Sequence, residues 1–222
     1  MDILLFVLSY LIQLLANGIL LYRVWSVRSV HGLSADTQVC LLLSALSRCV
    51  WTLKTRIIET HFLLTMIAGI ELLFSTLSAA LIVYLFRKFR HTSTLSTPST
   101  LSAPLLIVLA LVCAYLINPG TWFSFSAQIL VAFTMYIEGV ALVPQLWVIR
   151  KIGDVEALTS HYIGLLVVAR IVRMLFWIVM FFDGQKFLCL FVADLLHTLL
   201  SIDYLYLWVK KLRHGGRLVY SI

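Results

Sequence analysis

Seven ionisable side chains, Arg48, Glu71, Glu138, Arg170, Arg173, Asp194 and Asp203, stand inside otherwise apolar stretches of this 222-residue chain. A charged group at membrane depth is costly unless it faces the protein interior, a partner or water. Four acids and three bases can largely neutralise one another, which predicts a polar cavity inside a bundle of helices. Arg170 and Arg173 are three residues apart and share one side of a helix. A guanidinium in a low-dielectric cavity stays charged and offers a planar fork suited to a carboxylate. Arg48, Arg170 and Arg173 are therefore candidates for gripping an anionic ligand or a peptide C-terminus. The alternative is that they only neutralise the acids.

Glu138 lies six residues before Pro144. Proline removes an amide donor and disturbs the preceding turn, so carbonyls near residue 140 become free to meet a ligand or another helix. Glu138 is a candidate ligand-contacting group, or the partner of Arg170 or Arg173 in a bridge that fixes helix packing. Asp194 and His197 are i,i+3 neighbours that could exchange a proton as pH changes, with Asp203 further along the same segment. Gln13, Asn17 and Gln128 add neutral polar groups that line the same cavity or hydrogen-bond between helices. Glu71 has no evident partner in sequence.

Catalytic signatures are missing: the chain has no GxSxG, no HExxH and no glycine-rich phosphate loop. Neither an enzyme nor a cofactor is expected. Cys40, Cys49, Cys113 and Cys189 lack metal-ligand spacing and read as packing thiols.

The elements that carry these groups follow from composition. Hydrophobic residues make up 62% of the chain and charged residues only 12%, against roughly a quarter charged in soluble domains. This is an all-α membrane composition. Stretches near the length needed to cross a bilayer run over Ile3–Tyr22, Val39–Leu53, His61–Phe86, Ala103–Ile117, Phe125–Ile149, Tyr162–Phe182 and Phe187–Val209. The second and fourth are short and are expected to extend into their flanks. The first segment lacks the pattern of a cleaved signal and is expected to stay in the protein.

Seven spans put the termini on opposite sides of the membrane. The C-terminal side carries eleven basic residues (Arg23, Arg28, Arg87, Lys88, Arg90, Arg150, Lys151, Lys210, Lys211, Arg213 and Arg217) and the other side three, Lys54, Arg56 and Lys186. The positive-inside rule then predicts a cytosolic C-terminus and a lumenal or external N-terminus. The net charge of +7 is accordingly read as topology, with no nucleic-acid partner. The Ser/Thr-rich segment His91–Ser102 reads as a flexible cytosolic loop.

Two parts of the chain resemble each other. Trp25 and Arg28 match Trp147 and Arg150; after a three-residue insertion Leu33 and Ser34 match Leu158 and Thr159, and Arg48 falls opposite Arg173. One domain over residues 1–222 is expected: a first three-helix repeat over 1–86, a linking helix over 103–117, a second parallel repeat over 125–209 and a cytosolic tail over 210–222. Aromatic and basic residues at membrane edges followed by Ser or Thr caps would give part of this match by themselves.

The runs RVWSVRSVHGLSADTQ, MYIEGVALVPQLWVIRKIGDVEALTSHYIGLLVVAR and DYLYLWVKKL resemble the KDEL receptor family, the ER lumen protein retaining receptors. The likeness covers nearly the whole chain and is strongest from Met135 to His161, where Tyr136, Glu138, Val140, Ala141, Pro144 and Gln145 precede Thr159, His161 and Tyr162. It implies a seven-helix ER and Golgi membrane receptor, akin to PQ-loop and SWEET transporters. Such a receptor binds C-terminal retrieval signals of lumenal proteins in the acidic Golgi and returns with coated vesicles through cytosolic coat proteins. By that resemblance Arg48, Glu138 and Arg170 occupy cavity positions, Asp203 matches an aspartate of the last helix, and Lys210 and Lys211 fall in the basic trafficking tail. The family's pattern is altered at Phe6, Gln13, Gln128, Val131, Ala169, Arg173 and Met180, where arginine, histidine, glutamate, tryptophan, tyrosine, tyrosine and arginine are usual. Losing a glutamate at Gln128 and gaining Arg173 favour a more acidic or different ligand. A small-solute transporter of the PQ-loop type is the alternative function, and a trafficking factor without a ligand a third.

Overall fold

The computed structural model describes residues 2–54, 62–93, 95, 97–117, 127–152, 154–155, 157–184, 188–214 and 218–219. Within some helices the side chains are not described, those of His197, Asp203 and Lys211 among them. Among the described residues eight α-helices follow one another: α1 (Asp2–Val27), α2 (Ala35–Lys54), α3 (Phe62–Lys88), α4 (Ala103–Leu116), α5 (Ala127–Ala141), α6 (Val143–Ile152), α7 (Ala157–Phe182) and α8 (Leu188–His214). Two two-residue strands, β1 (Asp154–Val155) and β2 (Leu218–Val219), pair antiparallel.

Among the described residues four segments are long and apolar enough to cross a membrane: Leu4–Val27, Met66–Lys88, Gln128–Ile152 and Thr159–Phe182. The third of these contains α5 and α6 together. The chain leaves the helix at Leu142, two residues before Pro144, whose missing amide proton cannot bond back to residue 140. Leu146 N resumes the ladder by donating to Leu142 O at 3.0 Å.

Sequence chemistry also sets other ends. Ser34 caps α2 by accepting from Thr37 N at 3.4 Å, and Asp36 lies in the first turn, where a carboxylate complements the helix dipole. After α1 the backbone turns at Arg28, with φ of 50°, and at Gly32, with φ of 75°, the left-handed region that glycine enters without a Cβ clash. Around residues 91–102 there are two short 3-10 turns, Arg90–Thr92 and Ser99–Leu101, and Thr92 and Thr97 make side-chain ties to residues 30 and 36.

The bundle is built around two intimate pairs, α1 on α7 and α2 on α5. α3 packs on both α1 and α2, α8 on both α5 and α7, and α4 covers α5 with a lesser contact to α2. Polarity is inverted relative to a water-soluble domain. Leu4, Leu8, Leu11 and Leu15 on α1, Ile70, Leu73, Phe74 and Leu77 on α3, and Leu105, Val108, Leu109 and Val112 on α4 are exposed, while Arg48, Glu71, Glu138, Arg170, Arg173 and Asp194 are buried. That arrangement suits a solvent of hydrocarbon chains.

Candidate functional site

Six helices contribute to one buried polar cluster. α1 supplies Tyr10; α2 supplies Ser44 and Arg48; α3, Glu71; α5, Glu138; α7, Arg170, Arg173 and Trp177; α8, Asp194. Each sits on the inward stripe of its helix. On α1 the stripe runs Phe6, Tyr10, Gln13, Asn17, and on α2 Thr37, Leu41, Ser44, Arg48, both at i, i+4, i+7, i+11 spacing.

Glu138, only 1% exposed, is the hub. Its Oε1 accepts from the Ser44 hydroxyl, and its Oε2 accepts from Nη1 of both Arg170 and Arg173. Arg173 turns the other edge of its guanidinium to Asp194, with Nε donating to Oδ2 at 2.6 Å and Nη2 to Oδ1. This is the planar fork geometry that only arginine offers a carboxylate. Asp194 also accepts from Trp177 Nε1 at 2.9 Å and lies 3.8 Å from Arg170 Nη1.

Arg48 forms the second half of the cluster. Its Nη2 donates to Glu71 Oε1 and Oε2 at 3.1 and 3.0 Å, and its guanidinium carbon stands 3.7 Å from the centre of the Tyr10 ring. The Tyr10 hydroxyl accepts from Arg173 Nη1 at 3.2 Å, so Tyr10 joins the two halves. Arg48 Nη1 is buried and meets no hydrogen-bond partner among the described residues. Three guanidinium groups against three carboxylates make the described cluster electroneutral with every group ionised.

Of the residues singled out by sequence, Arg48, Glu138, Arg170, Arg173 and Asp194 converge here. The expected Glu138 bridge is made to Arg170 and Arg173 together. Glu71, without a partner in sequence, has one in Arg48. Asp194 gives both oxygens to α7, while the side chains of His197 and Asp203 lie outside the described residues. Gln128 is exposed at the start of α5, and Lys210 is exposed near the end of α8, with the side chain of Lys211 outside the description. Gln13 and Asn17 are buried on α1. Tyr10, Ser44 and Trp177 were missed because uncharged residues in apolar helices draw no attention; the inward stripe shared with Gln13 was the available signal for Tyr10.

At the other end of the bundle Gln145 joins α6 to the α1–α2 loop. Its Oε1 accepts from Ser34 N at 2.7 Å and its Nε2 donates to Gly32 O at 2.8 Å. Arg23 holds the same loop from α1, donating to Ser29 O at 2.9 Å and His31 O at 3.0 Å.

The family model described as ER lumen protein retaining receptor matches residues 29–180, a stretch that contains five of the six clustered charges. The chain belongs to the ER lumen protein retaining receptor family. Proteins named ER lumen protein-retaining receptor 2 from Bos taurus, Danio rerio and Homo sapiens are each 32% identical to it over 207 residues, covering 93% of both chains. Asp194, which fixes Arg173, lies beyond the matched stretch. The Pro144-Gln145 pair and the cluster acid Glu138 lie within it.

Proposed function

We propose that this chain is a receptor for the C-terminal retention signals of ER lumenal proteins, which it binds in the Golgi and returns to the ER. The observation that carries the reading is Arg48 Nη1, a buried cationic donor that meets no hydrogen-bond partner among the described residues, although Nη2 of the same group is held by Glu71. A peptide α-carboxylate is an apt acceptor for it. Family membership and the names of the relatives supply the class of ligand.

A peptide carboxylate entering a neutral cluster leaves one uncompensated negative charge in a low-dielectric site, and uptake of one proton restores neutrality. Glu138 is the carboxyl proposed to take it, since its protonation frees Nη1 of Arg170 and of Arg173 for the ligand while Asp194 keeps its hold on Nε and Nη2 of Arg173. Arg173 is otherwise reached only by displacing Glu138 or Asp194. In this reading Gln128, exposed at the start of α5, is a ligand contact nearer the lumenal mouth, and Asp194, His197 and Asp203 are supporting groups. Binding linked to one proton strengthens as pH falls, by up to about tenfold per pH unit.

Seven spans in two parallel three-helix repeats are part of the proposal, with the N-terminus lumenal and the C-terminus cytosolic. Two observations support the repeats. Each triplet places its third helix against both others, α3 on α1 and α2, α8 on α5 and α7. Each also pairs an arginine of its second helix with an acid of its third, Arg48 with Glu71 and Arg173 with Asp194, 23 and 21 residues apart. Lys210 and Lys211 would then face vesicle coat proteins.

The test is calorimetry on the purified full chain with a panel of C-terminal tetrapeptides at Golgi-like and ER-like pH. Binding of free-carboxylate peptides, lost on C-terminal amidation and tighter at the lower pH, is expected. Equal binding of amidated peptides would remove the carboxylate reading. Ligand flux into reconstituted vesicles would reassign the chain to PQ-loop-type transport.

A further inference from the structure

The 91–102 segment, HTSTLSTPSTLS, is fastened to the bundle at two points. Near its start, Thr92 Oγ1 accepts from Val30 N at 3.0 Å and donates to Phe89 O at 2.8 Å. Near its end, the Thr97 hydroxyl donates to Asp36 Oδ2, while Asp36 Oδ1 accepts from Ala103 N at 2.8 Å. Asp36 therefore holds both the segment and the N-terminus of α4. It sits on the first turn of α2, the helix that carries Arg48.

Thr97 precedes Pro98, and no other proline of the chain, at 104, 119 or 144, follows a serine or threonine. A residue before proline is kept out of the helical region, and Pro98 itself is extended, with φ of −61° and ψ of 153°. Ser99 and Thr100, just beyond, are exposed, while Thr97 is half-buried against Asp36. Thr97 thus presents a hydroxyl beside the extended Pro98, and its proton is what ties this part of the segment, the strap, to Asp36.

We propose that Thr97 is a phosphoacceptor for a cytosolic proline-directed Ser/Thr protein kinase, and that its phosphorylation unfastens the strap from Asp36. The γ-phosphoryl group of ATP passes to Thr97 Oγ1, the hydroxyl proton leaves to the kinase base, and ADP departs. The phosphoester has no proton to donate to Asp36 Oδ2. It also sets a charge near −2 beside a carboxylate, so a hydrogen bond becomes a repulsion. Asp36 remains the acceptor for Ala103 N, so the change is confined to the strap and the start of α4.

The proposal rests on the cytosolic placement of the strap, and the test separates the two. The full-length chain is prepared in sealed microsomes, treated from outside with a proline-directed kinase and ATP, mapped by mass spectrometry, and then exposed to external protease. Phosphate on Thr97 and several-fold faster cleavage within 91–102 are expected. Thr97→Val should carry no phosphate there and should be cut fast without kinase, because it lacks the tie; Asp36→Ala should be cut fast as well. A strap cleaved in sealed vesicles but never phosphorylated at Thr97 overturns the proposal alone. A strap protected until detergent is added overturns the topology and the proposal with it. Phosphate on Thr97 without faster cleavage overturns the release.

Discussion

The Arg173–Asp194 pair illustrates how a charge that is forbidding in isolation becomes a structural element in context. Both ions are fully desolvated, so removing one strands the other in a low-dielectric interior, at a cost of about 3–5 kcal/mol. Asp194→Leu alone and Arg173→Met alone should each destabilise on that scale. The double variant should be more stable than either single one, because no buried charge is left unpaired. Thermal unfolding in detergent reads the difference. Tyr10→Phe removes only the hydroxyl that accepts from Arg173 and keeps the ring under Arg48, so a loss of about 1 kcal/mol is expected. Arg48→Ala should abolish binding of lumenal C-terminal peptides, and unchanged calorimetric binding would withdraw Arg48 as the anchor. Sequence alone marked the arginines and Glu138 but left Glu71 unpaired and offered Asp194 to His197. An acid 23 residues from its arginine, on another helix, gives no periodic signal.

At the scale of elements, the break between α5 and α6 puts Gln145 against a loop more than 110 residues away in sequence. Pro144 announced a disturbance near residue 140, yet the partner of Gln145 depended on how α6 lies against the α1–α2 loop. Gln145→Leu would leave Ser34 N and Gly32 O without their partner, and a loss of about 1–3 kcal/mol per buried group is expected in thermal unfolding. α7 and α8 meet closely at Gly164, where an added Cβ would come within 2.3 Å of the Trp208 ring. Gly164→Ala should cost about 1–3 kcal/mol by overpacking, with altered tryptophan fluorescence as a second readout. Nothing in the local sequence distinguishes Gly164 from the exposed Gly18, whose Cβ would meet open space.

For the molecule as a whole, the distribution of residues between surface and interior is reversed, and this fixes how it must be handled. Leucines of α1, α3 and α4 and Phe74 of α3 face outward and the clustered charges face inward, so the chain requires lipid or detergent to keep its helices together. The proposed topology predicts that a glycosylation acceptor added before α1 is modified in the ER, whereas one added after α8 is not. Modification at the C-terminus would reverse the orientation drawn from the basic residues.

Composition and hydropathy by themselves determined that this is a helical membrane chain, since the free energy of placing apolar stretches in lipid is nearly additive along the sequence and needs no knowledge of neighbours. The motif around Glu138 and Pro144 likewise determined the family. Tertiary structure decided the pairing of charges. A buried ion is compatible with lipid only when its countercharge arrives at hydrogen-bonding distance, and that depends on the rotation of each of six helices about its axis. It also decided that, among the described residues, Arg48 Nη1 meets no hydrogen-bond partner whereas all three nitrogens of Arg173 do, which separates two arginines that the sequence presents as equivalents.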